Sequence, residues 1–373
     1  MGTLTAFASA RHILHVFPSF GIGGVPIRMA RIINHLGPRF RHTIVVLDAN
    51  AAARDRLRPD VTADLVLHHS KRHLLSTIIN AQLTFRQQKP DLLVTYNWGA
   101  IEWALSNRLL SVTPHIHHEA GFSSAESDRQ FLRRILLRRF ALARARKVVV
   151  PSRTLVEIAS KTWSIPEDRL LYIPNGIDVG RFAENRGNDN SSFFARTEDE
   201  VVIGTIAPLR PEKNLARLLR VFGRVRSRSK ARLVIGGDGS ERGSLESHAQ
   251  SLGLGERVVF LGNITRPELL LRKFDLFAVS SDTEQMPNSV LEAMATGLPI
   301  VGVDVGDIRH MVAPENVAFL VHKHDEDTFA TKILELVDAA DQRRRLGELN
   351  RDNVVRRFSQ EDMFAAYERV FSK

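Results

Sequence analysis

HILHVFPSFGIGGVPIRMARIINHL, residues 12–36, runs from an apolar stretch through a glycine-rich turn into a segment whose apolar residues return every three or four positions. The stretch 12–18 has no regular polar alternation, so as a strand it needs cover on both faces. The segment 27–36 has the period of a helix with one buried stripe. Strand, tight turn and helix together form the repeating unit of a parallel α/β sheet. Further strand-like runs follow at 42–48, 64–69, 91–97, 114–119 and 147–152, with helical patterns at 74–88 and 99–110 between them. A polar stretch, ENRGNDNSS at 184–192, interrupts this alternation and has the composition of a connection. The alternation resumes at 201–207, 232–238, 257–263, 276–282 and 299–305, and the last fifty residues look helical.

A chain of 373 residues exceeds what one hydrophobic core usually organises, which agrees with two units. The expected division is 1–182, a linker 183–200, a second unit 201–356 and a closing helix 357–373 that crosses back to the first. Hydrophobic residues make up 43% and charged residues 25%, an ordinary globular balance. There is no cysteine, so disulfides, thiolate nucleophiles and cysteine-ligated metals are excluded. No apolar run approaches the ~20 residues that span a bilayer. The N-terminus lacks a signal peptide's basic and apolar regions, and Ala6 breaks the myristoylation pattern. A cytoplasmic location is expected. Lys and Arg outnumber Asp and Glu by 52 to 42, a formal charge of +10, which favours an anionic partner without choosing one.

Open parallel sheets bind ligands beyond the carboxyl ends of their strands, so the informative residues follow each strand. After the first strand, Gly21, Gly23 and Gly24 precede a helix, where free amides suit a phosphate. The dinucleotide fingerprint G-x-G-x-x-G fails there because Pro26 takes its third glycine position, although Asp48 could imitate the ribose-binding acid. His115, His117 and His118 crowd a later strand, open to three readings: metal ligands, core histidines or ligand contacts. Neighbouring strand residues face opposite ways, which weighs against metal, and the strand-end position favours His118 over His117 as the ligand contact. In the second half, RPEKN (210–214) places the cations Arg210 and Lys213 after a strand, and GGDGS (236–240) supplies another glycine turn.

The last loop is TEQMPNSVLEAMATGLP, 283–299. Gly297 and Pro299 stop a helix that should begin near Pro287, Asn288 and Ser289. Glu284 then precedes the helix and Glu292 lies within its first turns. Ser289 and Glu292 also match a capping box, a purely structural account of the second acid. Two cations, a helix N-terminus and glycine amides suit a diphosphate, while the two carboxylates suit sugar hydroxyls. Together they describe a nucleotide-sugar site.

With those residues in place the chain resembles the retaining glycosyltransferases of family 4, which have the GT-B fold of two doubly wound Rossmann-like domains facing across a cleft. The likeness covers nearly the whole length. It rests on GIGG (21–24), IPNGID (173–178), RPEKN, GGDG (236–239) and above all the E-x7-E spacing of Glu284 and Glu292. The resemblance implies that Glu284 approaches the donor sugar and Glu292 the nucleotide ribose. It implies that Arg210 and Lys213 hold the diphosphate, that His118 contacts the sugar, and that Gly23 and Gly24 lie against the phosphates. Asn288, Ser289 and Gly239 complete the expected donor site, with no metal and no other cofactor. Two departures stand out: Ala207-Pro208-Leu209 replaces the family's frequent Gly-Arg-Leu, and Met286-Pro287 replaces its Phe-Gly, removing one amide donor.

The acceptor implied is a glycan or lipid-linked hydroxyl, in synthesis of a bacterial surface polysaccharide, lipopolysaccharide or glycolipid. Residues 126–147 interleave eight basic residues with apolar ones, so an anionic membrane surface is a candidate partner and a peripheral location on the inner face of the cytoplasmic membrane a candidate site. A GT-B sugar-nucleotide epimerase would use the same cleft. A non-enzymatic polyanion binder is disfavoured by three Tyr and three Trp and by the lack of an RNA-binding signature, so no nucleic acid is expected.

Overall fold

Unbroken Val, Ile and Leu runs demand helices on both sides, and the computed structural model has that arrangement twice. It describes residues 10–67, 74–111, 113–122, 126, 130–183, 193–197 and 199–373. The first unit carries β1 (Arg11–Phe17), β2 (Phe40–Val46), β3 (Ala63–Leu67), β4 (Leu92–Tyr96), β5 (His115–His118), β6 (Lys147–Val150) and β7 (Leu170–Tyr172). They form a seven-stranded sheet in the order β3-β2-β1-β4-β5-β6-β7. The second unit carries β8 (Val201–Ile206), β9 (Ala231–Gly236), β10 (Val258–Gly262), β11 (Leu276–Val279), β12 (Ile300–Val303) and β13 (Leu320–Val321). Its six strands run β10-β9-β8-β11-β12-β13. Every pairing between these strands is parallel. In both sheets the order reverses beside the first strand, between β1 and β4 and between β8 and β11. Such a reversal opens a crevice at the strand ends.

The strands β7 and β13 were not expected. Each is an edge strand of two or three residues, too short to show an apolar period. The structure has a division between two compact units. It falls at Pro174/Asn175 and Met363/Phe364, so the first unit is Met1–Pro174 with Phe364–Lys373 and the second is Asn175–Met363. Ile177, Phe182 and Phe358 belong to the second unit's core, which is why the boundary precedes 182 and follows 356. The polar stretch 184–192 lies outside the described residues. The closing helix is Gln360–Ser372. Its Tyr367 and Phe371 are buried, packing 6.2 Å from the ring of His118 and 6.1 Å from that of His15.

The first unit's sheet is rich in desolvated histidine. His15 shares hydrogen bonds with the Tyr96 hydroxyl and with His42, both at 2.9 Å. The Thr95 hydroxyl joins His115 and His117 at 2.8 Å each. Burial, with a smaller contribution from neighbouring histidines, lowers His42 to about 4 and His115 to about 3. Burial likewise holds His15 and His118 well below the usual imidazole range. These rings stay neutral when folded, whereas the unfolded chain protonates them near pH 6.5, so the unfolded state binds more protons as pH falls. Stability is therefore complete above about pH 6.5 and is lost below it, by up to about 1.4 kcal/mol per pH unit for each such ring. Thermal melting followed from about pH 7 to pH 5 is expected to show a steep fall in Tm; a flat profile would contradict neutral burial of these rings.

Candidate functional site

In the second unit, β8 runs into Ala207-Pro208-Leu209-Arg210 and β11 into Ser280-Ser281-Asp282, so both loops leave the reversal point side by side. Six contacts, one of them within the second loop, hold them in place. Lys213 Nζ donates to Glu284 Oε1 at 2.6 Å, and the Ser281 hydroxyl donates to the same oxygen at 2.7 Å. The Ser280 hydroxyl donates to the Lys213 carbonyl at 2.9 Å, and the Asp282 amide to the Glu212 carbonyl at 2.9 Å. Finally Asp282 accepts from Asn214 Nδ2 at 3.0 Å and from Arg217 Nη2 at 2.6 Å. Asn214, left-handed at φ 41°, also caps the following helix, Leu215–Arg226, through the Arg217 amide. A small pocket opens at this point, lined by Thr205, Lys213, Ser281, Glu284 and Ser289 among others.

The loop carrying Glu284 is clamped from two further sides. Asn175 Nδ2 donates to the Met286 carbonyl at 2.8 Å and to Asn288 Oδ1 at 3.0 Å. The Asp307 amide donates to the Gln285 carbonyl at 2.9 Å. Beside it Gly306 has φ 58°, and a Cβ there would lie 2.0 Å from the Glu284 carbonyl oxygen, so only glycine fits. The IPNGID segment is thus a brace: Asn175 holds the Met286 turn, and a Cβ on Gly176 would meet the Ser359 carbonyl at 2.5 Å.

The helix after Glu284 spans Asn288–Thr296, with Pro287 as its N-cap and no side-chain cap. The capping-box account of Ser289 and Glu292 therefore fails, because the helix begins two residues too early for it. Val290 and Leu291 donate to the Pro287 carbonyl, leaving the Asn288 and Ser289 amides without an intrahelical acceptor. Asn288, Ser289 and Glu292 share the helix's less buried face, while Val290, Leu291 and Ala293 to Ala295 enter the core.

The other candidates are placed as follows. Arg210 is exposed at the N-cap of a short 3-10 turn, Pro211–Lys213, and lies outside the pocket lining. A Cβ on Gly239 would lie 2.4 Å from the Leu209 carbonyl oxygen, so this glycine permits close packing of the loop after β8. In the first unit, Gly23 is the N-cap of the helix Gly24–Leu36, and both glycines are exposed. Space around Gly23 is open, since a Cβ there would approach only Pro26, at 3.8 Å.

His118 is 1% exposed and receives a hydrogen bond at Nε2 from Arg28 Nη2 at 3.0 Å. Guanidinium only donates, so the neutral ring carries its proton on Nδ1, which has no protein acceptor among the described residues. The three histidines do not converge: His115 and His117 turn to Thr95 and His118 to Arg28. Sequence reasoning did not find Arg28, Asn175, Ser280 to Asp282, Arg217, Gly306 or Asp307. The available signals were Ser-Ser-Asp directly after β11 and Gly-Asp in the loop after β12.

The first unit matches the Glycosyltransferase Family 4 model over residues 22–181, and the second matches Glycosyl transferases group 1 over 188–353. The putative glycosyltransferase EpsF of Bacillus subtilis is 30% identical over 53% of this chain and 53% of its own length. The alpha-1,3-galactosyltransferase of Escherichia coli that acts with UDP-Gal on alpha-D-GlcNAc-diphosphoundecaprenol is 24% identical over 71% of this chain and 70% of its own. The chain spans about half the length of the first curated relatives it matches, 49% and 53%. Among solved structures, HepE of Anabaena with UDP and glucose superposes with a TM-score of 0.81 at 18% identity, covering 97% of this chain and 99% of that one.

If Gly306 alone allows the Glu284 loop its path, Gly306→Ala should destabilise the second unit by about 1–3 kcal/mol through strain and the clash. An unchanged denaturant midpoint would contradict the clamp.

Proposed function

The chain belongs to glycosyltransferase family 4 and has the GT-B fold, and from that premise we propose that it transfers a sugar from a nucleoside diphosphate sugar to an acceptor hydroxyl with retention of anomeric configuration. One observation carries the reading: at the reversal point of the second sheet a paired Lys213 and Glu284 line the same small pocket as Ser289 of the following helix's first turn. Lys213 and the Asn288 and Ser289 amides meet the diphosphate, in a region where a helix N-terminus already favours negative charge. Arg210, exposed beside them, adds charge from the rim. Glu284 accepts from sugar hydroxyls and Glu292 from the ribose. Gly239 shapes the loop after β8. To His118 we assign a contact with the sugar through its Nδ1 proton, and to Gly23 and Gly24 amide contacts with the phosphates. No metal or other cofactor is proposed.

In the reaction the bond from the anomeric carbon to the leaving phosphate oxygen breaks and a bond to the acceptor oxygen forms on the same face. The acceptor's proton passes to the departing phosphate. Glu284 is occupied in holding the sugar and tied to Lys213 and Ser281, so positioning and charge stabilisation are the main catalytic contributions. A UDP- or GDP-linked donor is favoured, the UDP of the HepE structure supporting the first. The Escherichia coli relative supports a lipid-linked glycan acceptor, within surface polysaccharide, lipopolysaccharide or glycolipid synthesis.

Thermal melting with UDP-, GDP- and ADP-sugars tests the donor site, because a ligand that binds the native state raises Tm by mass action. One nucleotide class should stabilise the protein; none doing so would contradict the reading. Lys213→Ala is expected to lower turnover by about 10² to 10³, as loss of an oxyanion donor does, and full activity in that variant would remove Lys213 from the mechanism.

A further inference from the structure

The first unit leaves an unusual amount of apolar surface in water. Three of its helices pack in series: Leu74–Gln88 against Ile101–Leu110, and Ile101–Leu110 against Leu132–Leu142. Among the described residues, ten of the fifteen exposed large hydrophobic side chains lie on these helices or at the head of the third. Two ridges stand out. Leu75, Ile79 and Leu83 are 74%, 59% and 50% exposed, and Leu132, Leu136 and Phe140 are 70%, 54% and 46% exposed. Both have i, i+4, i+8 spacing, so each forms one continuous stripe along its helix. Leu109 and Leu110 at the end of the middle helix are 53% and 63% exposed.

The spacing of the ridges is fixed by polar contacts beneath them. Gln82 Nε2 donates to the Ser106 hydroxyl at 2.9 Å, and the Ser111 hydroxyl donates to Gln82 Oε1 at 2.9 Å. Arg108 lies 4.0 Å over the Phe140 ring and also donates to the Phe140 carbonyl, joining the middle helix to the third.

Charge identifies what covers this face. Glu102 is the single acid in the three helices, while Arg86, Arg133 and Arg139 are exposed on the first and third. Not every arginine takes part: Arg138 is fully buried, 4.8 Å from the Trp98 ring and 3.4 Å from Glu119, and Arg134 pairs with Glu126 at 2.7 Å. Exposed leucines between arginines, with long stems that let the charge reach outward, fit the boundary between acyl chains and anionic headgroups.

We infer that the helices Leu74–Gln88, Ile101–Leu110 and Leu132–Leu142 form one docking face for an anionic lipid bilayer. This extends the expectation for 126–147, of which residues 127–129 lie outside the described part, to a helix some fifty residues earlier in the chain. It does not depend on the proposed transfer reaction, and donor-induced melting shifts report that reaction separately.

Co-sedimentation with phosphatidylglycerol-containing vesicles and with phosphatidylcholine vesicles tests it. The protein should bind the anionic vesicles at least tenfold more than the neutral ones. L75E/I79E and L132E/L136E should each reduce that binding at least tenfold. Loss in the second pair alone would restrict docking to the third helix and overturn the three-helix face. Equal binding to neutral vesicles, no binding, or a dimer in free solution that both pairs dissociate would also overturn it, the last assigning the face to a second copy. Should a glutamate pair fail to fold, L75W offers a second readout: its added emission should shift to the blue with anionic vesicles, and an unshifted spectrum counts against docking.

Discussion

The ion pair of Lys213 with Glu284 is the contact on which the candidate site depends. It joins the loops leaving β8 and β11 where the sheet order reverses, and it does so at 2.6 Å with both side chains less than one-fifth exposed. Around it Ser280 and Asp282 bind the same two loops, Ser281 holds the Glu284 carboxylate, and Gly306 and Asn175 prevent the Glu284 segment from shifting. A cation held this way is presented to a ligand without a mobile side chain having to be ordered first, which is what electrostatic catalysis requires. The pairing also balances each charge before any ligand arrives, so neither is left alone in a partly desolvated place.

The first unit relies on a different constraint. Its strands carry histidines where apolar residues would serve, and the buried rings bond to Thr95, Tyr96 and one another. His118 differs in that its partner Arg28 can only donate, and its Nδ1 has no acceptor among the described residues. That neighbour comes from the helix beginning at Gly24, so the glycine turn and the strand-end histidine are mechanically one feature.

Both sheets and most of their strands were legible because strands buried on two faces give uninterrupted apolar runs. Glu284, Lys213 and Ser289 were legible because each stands just after a strand or at a helix start. The edge strands β7 and β13 were too short for a pattern. A polar, Asn-rich stretch looks like a connection, but nothing in it shows that Asn175 is already bonded to Met286. The capping box of Ser289 and Glu292 fits by spacing but loses to a start at Asn288, which only backbone geometry decides. Arg138 shows the limit of charge patterning: among seven neighbouring basic residues, nothing local marks the one that is buried against Trp98, Phe122 and Trp163.

A crystal structure with an intact or slowly turned-over nucleotide-sugar tests the central claim most directly. The account predicts a diphosphate at the ends of β8 and β11, within hydrogen-bonding distance of Lys213 Nζ and the Asn288 and Ser289 amides, with sugar hydroxyls on Glu284. A nucleotide bound elsewhere, or phosphates held through a divalent ion while Lys213 stays wholly on Glu284, would contradict it.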